Sequence, residues 1–215
     1  MTSIEQIWVE TSDGCRLEAD LLQPAAGAIG GVVVAHPHPL YGGNRDHPIV
    51  TSLTDANSAA GYIALRFDFR GTRRSTGTHG KGLDEINDMD AALELVASMI
   101  PDGSPLIAAG YSFGGAMALS ATDPRITHRV GVAAPLGMLA AGIAPTEPTL
   151  LIVPRHDQYT SPDDVAQVVR VWPNEPTVEV IEAADHFLLG FATEVAKRAI
   201  AWLIPTETVG LVPRW

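Results

Sequence analysis

Pro105-Leu106-Ile107-Ala108-Ala109-Gly110-Tyr111-Ser112-Phe113-Gly114-Gly115 is a short apolar run that leads straight into a serine set among glycines. A run of this length and composition is what a parallel strand shows when both of its faces are covered. Ala116 to Ala121, which follows, is rich in helix formers and stops at Asp123-Pro124. Between strand and helix the chain must reverse within a few residues. That reversal forces Ser112 into a strained conformation with its hydroxyl exposed at the carboxyl end of the sheet. A side chain at 110 or 114 would collide with the neighbouring strand or helix, so glycine is needed at both. The stretch reads as a nucleophile elbow, and an elbow calls for an acid and then a histidine at the ends of later strands.

Upstream, Gly31 to Ala35 and Tyr62 to Phe67 are further apolar strands. The first ends in His36-Pro37-His38-Pro39-Leu40-Tyr41-Gly42-Gly43-Asn44-Arg45, where irregular backbone is expected. The second ends in the polar loop Asp68 to Gly77. Pro48 suits a first helical turn running to Gly61. Gln6 to Glu10 and Arg16 to Leu22, around Asp13-Gly14, predict an antiparallel hairpin at the sheet edge. Leu83, Ile86, Met89, Leu93, Val96 and Ile100 fall three or four apart, as on an amphipathic helix. Its other side, with Asp84, Glu85, Asp88, Asp90 and Glu94, is expected to face solvent.

Downstream, His128 to Ala134, Thr149 to Val153 and Thr177 to Ile181 read as strands. Leu136 to Glu147 is a loop long enough for at most a turn of helix. Ser161-Pro162-Asp163-Asp164 carries a capping serine, a proline at the first helical position and carboxylates at the positive end of the dipole. That helix is expected to bury Val165, Val168, Val169 and Trp172, and a last helix runs from Phe191 to Leu203. Strands alternating with helices predict an α/β fold with a mostly parallel, doubly wound sheet of right-handed units.

Function in such a sheet lies at the carboxyl ends of its strands. Asp157 stands past the strand ending at Val153 and His186 past the one ending at Ile181, giving the chain order Ser, Asp, His. A serine hydroxyl is a poor nucleophile near neutral pH, so an imidazole must take its proton and later return it to the leaving group. His186 is assigned both steps, and Asp157 the task of holding the other ring nitrogen; Asp185 is the alternative acid. The N–H of Phe113, directly after the serine, is the first donor expected for a developing oxyanion.

At 215 residues and 46% hydrophobic, one domain spanning residues 1–215 is expected. The net charge of −11 argues against nucleic acid or an anionic membrane as partner. With Cys15 as the single cysteine, no basic-then-apolar leader and no run long enough for a membrane span, the cytoplasm is the expected address. Leu211-Val212-Pro213-Arg214 is either a native tail or an expression remnant resembling a thrombin site.

The segments Ala35-His36-Pro37-His38-Pro39, Phe67-Asp68-Phe69-Arg70-Gly71, Gly110-Tyr111-Ser112-Phe113-Gly114-Gly115, His156-Asp157 and Ala184-Asp185-His186-Phe187 resemble those of the α/β-hydrolases. More narrowly, the chain is similar to small members without a cap domain, related to the dienelactone hydrolase group, along nearly its whole length. The resemblance carries nucleophile, acid and base over to Ser112, Asp157 and His186. It places the second oxyanion donor in the loop after Gly31 to Ala35. Many members have His-Gly there; this chain has prolines, which lack an N–H, so the donor is His38 or Leu40. A serine nucleophile departs from dienelactone hydrolase itself, which uses cysteine, and from the branches that use aspartate.

The expected activity is that of a serine carboxylesterase acting on small to medium acyl esters, its partner a small-molecule ester. A thioesterase, an acyl-peptide hydrolase and a non-catalytic ligand- or partner-binding protein are the alternatives, and a homodimer is left open. Tyr41, Leu136, Met138, Leu139 and Tyr159 are candidate apolar walls. His36, His38 and His47 suggest a metal reading, but no cysteine is near and the prolines already make the loop rigid. No metal or organic cofactor is expected. Arg70, Arg73 and Arg74 are expected to pair with nearby acids rather than with a substrate anion.

Overall fold

The computed structural model describes residues 3–139 and 144–204. The Leu211 to Arg214 segment lies outside the described residues, as does part of the Leu136 to Glu147 loop. Eight strands form one sheet in the order β1-β2-β4-β3-β5-β6-β7-β8. They are β1 (Ser3–Glu10), β2 (Arg16–Gln23), β3 (Gly30–Ala35), β4 (Tyr62–Phe67), β5 (Leu106–Tyr111), β6 (His128–Val132), β7 (Thr149–His156) and β8 (Thr177–Asp185). The hairpin β1–β2 is antiparallel and β2 meets β4 antiparallel; every other pair is parallel. The helices are α1 (Pro48–Ala59), α2 (Glu85–Ala97), α3 (Phe113–Ser120), α4 (Pro162–Val168) and α5 (Ala192–Leu203).

Side-chain alternation sorts the sheet into two cores. Val33, Leu65, Leu106 and Ala108 point toward α2 and α3, whereas Val32, Val34, Ile107 and Ala109 point toward α1 and α5. Both faces are therefore covered, which explains the unbroken apolar reading of β3 and β5. The register aligns Ala35 with Phe67 and with Gly110, so β3, β4 and β5 end at a common rim. Ser112, Asp157 and His186 each directly follow a strand at this rim. Among the described residues no helix is long and apolar enough to cross a membrane.

Three local expectations need correction. The loop after β3 is not wholly irregular, since Pro39–Tyr41 forms a 3-10 turn capped by the His38 side chain. The helix at Ser161 has the expected cap, completed by Asp164 as a capping box, but ends at Val168 and passes into a 3-10 turn. Of its four expected core residues only Val165 and Trp172 are buried. The third correction concerns α2, where Glu85 and Asp88 are fully buried rather than solvated. The segment between β4 and α2 folds over that side of the helix and brings cationic and N–H partners to both carboxylates: Arg70 pairs with Asp88, and Gly80 and Gly82 donate to Glu85.

Candidate active site

Ser112 sits between β5 and α3 at φ 53 and ψ −121. This is the left-handed side of backbone space, and it costs a non-glycine residue about 1–3 kcal/mol. The strain is held by both neighbours: Ser112 N donates to Val132 O (2.8 Å) and Ser112 O accepts from Ala116 N (3.1 Å). A Cβ at Gly110 would lie 2.2 Å from Gly114 O, and one at Gly114 would lie 2.3 Å from Ala35 O. Neither backbone atom can move aside, so both glycines are steric requirements of the turn.

The turn aims Ser112 Oγ at His186 Nε2, 2.9 Å away, and His186 Nδ1 lies 2.9 Å from Asp157 Oδ2. A carboxylate only accepts, so Nδ1 carries the hydrogen and Nε2 is left with a lone pair facing the hydroxyl. Asp157 is itself buried and fixed: its Oδ1 accepts from the N–H of Tyr159 (2.8 Å) and Thr160 (3.2 Å). Asp185, the alternative acid, is exposed and caps Phe187 N (3.0 Å) instead. His186 is also held through its backbone, because Tyr111 Oη donates to His186 O at 2.9 Å. The residue before the serine thereby braces the histidine loop.

Phe113 N–H stands at the first turn of α3, where helical N–H groups have no partner within the helix. Of the two donors weighed in the other loop, Leu40 N–H is committed to His38 Nδ1 (3.2 Å). The N–H groups of Tyr41 and Gly43 donate to His38 O. His38 N–H is left without an acceptor among the described residues. His36 pins this loop from beneath, its Nδ1 donating to Pro37 O (2.6 Å) and its Nε2 accepting from Phe69 N–H (3.0 Å). With both nitrogens occupied, His36 has no lone pair to offer a metal. Among the described residues no three His, Cys, Asp or Glu side chains are grouped as ligands.

Burial pushes the His36 pKa down to about 3. The unfolded chain takes a proton on this ring below about pH 6.5, and the folded one does not until about 3, so acid favours unfolding across that window. At pH 5 this group alone is expected to remove about 2 kcal/mol relative to pH 7. Urea unfolding of wild type and His36→Gln at both pH values checks this, the wild type losing about 2 kcal/mol more. Buried Asp68 and Asp88, whose carboxyls burial pushes up, act with opposite sign in both proteins. The difference therefore isolates His36, and equal losses would contradict the assignment.

The loop is also tied down by charge. Arg45 lies within ion-pair distance of Glu18 (3.2 Å), Asp20 (3.3 Å) and Asp68, and Arg66 pairs with Asp20 (2.9 Å); the three carboxylates and Arg45 are all buried. Arg70 bonds Asp88 (2.7 Å) and Asp13 (2.8 Å), Arg73 bonds Asp46 (2.5 Å), and Arg74 faces Glu18 (3.4 Å). All three thus pair with acids, as expected.

A cavity of about 610 Å³ opens at Ser112 and His186. Tyr41, Met138 and Tyr159 line it, together with His38 and Phe113. Leu136 does not: its 3-10 turn points it inward, 5% exposed, against Leu119, Val153, Val165 and Trp172. Leu139 likewise packs against the core. Sequence reasoning missed His47, Tyr111, Pro135 and Phe187 as lining residues. Phe187 carried a usable signal, being next to His186. The sequence suggests His47 only as a metal ligand; in the structure it caps α1 and its ring packs on Tyr111 at 4.9 Å between centroids.

The sheet order, the strained serine and the hydrogen-bonded line from Ser112 through His186 to Asp157 define an α/β-hydrolase of the serine type without a cap domain. The family described as X-Pro dipeptidyl-peptidase (S15 family) matches residues 13–140, and the chain belongs to that family. An uncharacterized protein of Rickettsia prowazekii is 30% identical over 188 residues, covering 82% of this chain and 79% of the relative. An α/β serine hydrolase homologue from Coxiella burnetii is similar in structure at a TM-score of 0.83 and 26% identity, covering 95% of this chain and 99% of that one. A Xanthomonas campestris member of the α/β serine hydrolases without a lid shares the fold at a TM-score of 0.82 and 23% identity, covering 96% and 97%.

Proposed function

We propose that the protein is a carboxylesterase that cleaves small to medium acyl esters through an acyl-enzyme on Ser112. The observation that carries the reading is an aligned serine, imidazole and buried carboxylate opening into a cavity whose lining bears no Lys, Arg, Asp or Glu among the described residues. As Ser112 Oγ attacks the ester carbonyl, His186 Nε2 takes its proton, and Asp157 stabilises the imidazolium without itself accepting it. Negative charge gathers on the carbonyl oxygen, held by the N–H groups of Phe113 and His38. The C–O bond then breaks, His186 returns the proton to the leaving alkoxide, and water repeats the cycle on the acyl-serine. Tyr41, Met138, Tyr159 and Phe187 offer apolar walls to the acyl group.

The lining also bears on the activity in the family's description. A peptidase that frees an N-terminal dipeptide has to hold a substrate ammonium, which needs a carboxylate or a ring of acceptors in the pocket. Asp157 is committed to His186 and does not line the cavity, whose lining contains no carboxylate among the described residues. A panel of p-nitrophenyl esters graded by acyl length, with a coenzyme A thioester and an alanyl-prolyl anilide, tests the reading. Hydrolysis of the short and medium esters with kcat/KM at least about 100-fold above that for the anilide is expected, a gap of roughly 2.7 kcal/mol. Preferred turnover of the anilide would favour the peptidase, and of the thioester a thioesterase.

A further inference from the structure

Glu85 and His79 form a second carboxylate–imidazole pair, which the reaction above does not use. The Glu85 side chain is fully buried and accepts from the N–H of Gly80 (2.7 Å) and Gly82 (2.8 Å). His79 Nδ1 lies 2.7 Å from Glu85 Oε1, close enough for an ion pair although not aligned for a hydrogen bond. The His79 ring also meets two aromatic neighbours, His38 at 4.9 Å and Phe113 at 5.6 Å between centroids. Those two rings are themselves 5.0 Å apart.

The identity of the neighbours gives the pair its meaning. His38 and Phe113 are the residues whose N–H groups are proposed to hold the oxyanion, and they arrive on separate segments, the turn after β3 and the start of α3. Two donors on separate segments need something that fixes their spacing, because a donor that misses the oxyanion forfeits much of a factor of roughly 10² to 10³ in rate. Packing of His79 against both rings supplies that constraint. The Glu85 carboxylate, clamped by two backbone N–H groups, supplies the fixed point against which His79 is seated. We propose that His79, seated by Glu85, is a positioning residue that sets the separation of the two oxyanion donors. This rests on the serine-hydrolase reading of the site.

His79 also borders a second cavity of about 470 Å³, on the other side of Gly42 and Gly43, together with Asn44, Thr72, Arg73 and Thr78. A residue whose task was to bind substrate there would act on KM. A residue that positions oxyanion donors acts on kcat, because the oxyanion exists only past the ground state.

The test is steady-state hydrolysis of p-nitrophenyl butyrate by the full chain and by His79→Leu, His79→Gln and Glu85→Gln. It is paired with inhibition by a phenylboronic acid, which forms a tetrahedral adduct on an active serine. In His79→Leu, kcat is expected to fall about 10- to 100-fold, with KM within about twofold and boronate affinity falling by the same factor as kcat. His79→Gln, which keeps a planar polar side chain of similar reach against His38, Phe113 and Glu85, should recover most of the rate, and Glu85→Gln should fall between. Thermal melting identifies any variant that is not folded, and the two glutamine variants decide the matter if His79→Leu is lost. An unchanged kcat in folded variants, or a raised KM with kcat intact, overturns the proposal. A wild type that hydrolyses no ester and binds no boronate instead overturns the hydrolase reading beneath it.

Discussion

Ser112→Ala is expected to lower kcat for a p-nitrophenyl ester by about 10⁴-fold or more and to abolish labelling by a fluorophosphonate. The size of the loss follows from the geometry. The only hydroxyl within hydrogen-bond reach of His186 Nε2 among the described residues is that of Ser112, 2.9 Å away. Without it the imidazole can activate only a water that nothing positions. Alanine inherits the same φ of 53, so the strain and the two backbone hydrogen bonds of the turn persist and the fold should be retained. Loss of labelling with an unchanged melting curve is therefore the expected pair of results. Labelling that survives in the variant would place the nucleophile elsewhere. A folded wild type that never labels would favour a binding protein on a hydrolase scaffold.

Asp157→Asn should reduce kcat by about 10⁴-fold, whereas Asp185→Asn should change it by less than about threefold. Asp157 Oδ1 already accepts from Tyr159 and Thr160 N–H, and an asparagine oxygen can keep both bonds. The amide NH₂ is then turned toward His186 Nδ1, which must accept, and the ring hydrogen moves to Nε2. In that tautomer His186 has no lone pair facing Ser112. Asp185 touches neither ring nitrogen and caps its own turn, so its loss disturbs only the approach to the loop. Parallel ester assays on the two variants decide between the carboxylates, and a larger loss in Asp185→Asn would reverse the assignment.

The parts of this site that could be read from the chain are those fixed by local chemistry. Gly110 and Gly114 announce a close backbone approach, and β7 and β8 deliver Asp157 and His186 whatever the details of packing. Their strands run further than periodicity suggested, to His156 and Asp185, because the ends at the rim carry polar, mostly exposed residues such as Arg155, His156, Glu182 and Asp185 instead of continuing the apolar run. The misreadings share a different cause. Glu85 and Asp88 fall on the polar side of α2, and helical spacing reports only which residues share a side, not what later covers it. The preceding loop folds over that side and brings partners for both. Leu136 was misplaced because a single 3-10 turn, too short to show a period, decides whether the side chain faces the cavity or the core. Buried charge and turn orientation are tertiary facts, set by segments distant along the chain.

The Arg45 cluster has a consequence for how this loop can change over generations. Three buried carboxylates from β2 and the end of β4 converge on one guanidinium. Removing that cation alone would leave three buried carboxylates with only Arg66, Arg73 and Arg74 at their edges, at a cost of roughly 3–5 kcal/mol, a large share of what holds a domain of this size together. Removing one acid alone leaves the others to rebalance against Arg45 and Arg66. No single replacement leads smoothly to an apolar substitute; several positions must change together. Changes in substrate preference are therefore expected at the exposed rim residues Tyr41, Tyr159 and Phe187, where one side chain can be replaced at a time, rather than in the Arg45 cluster.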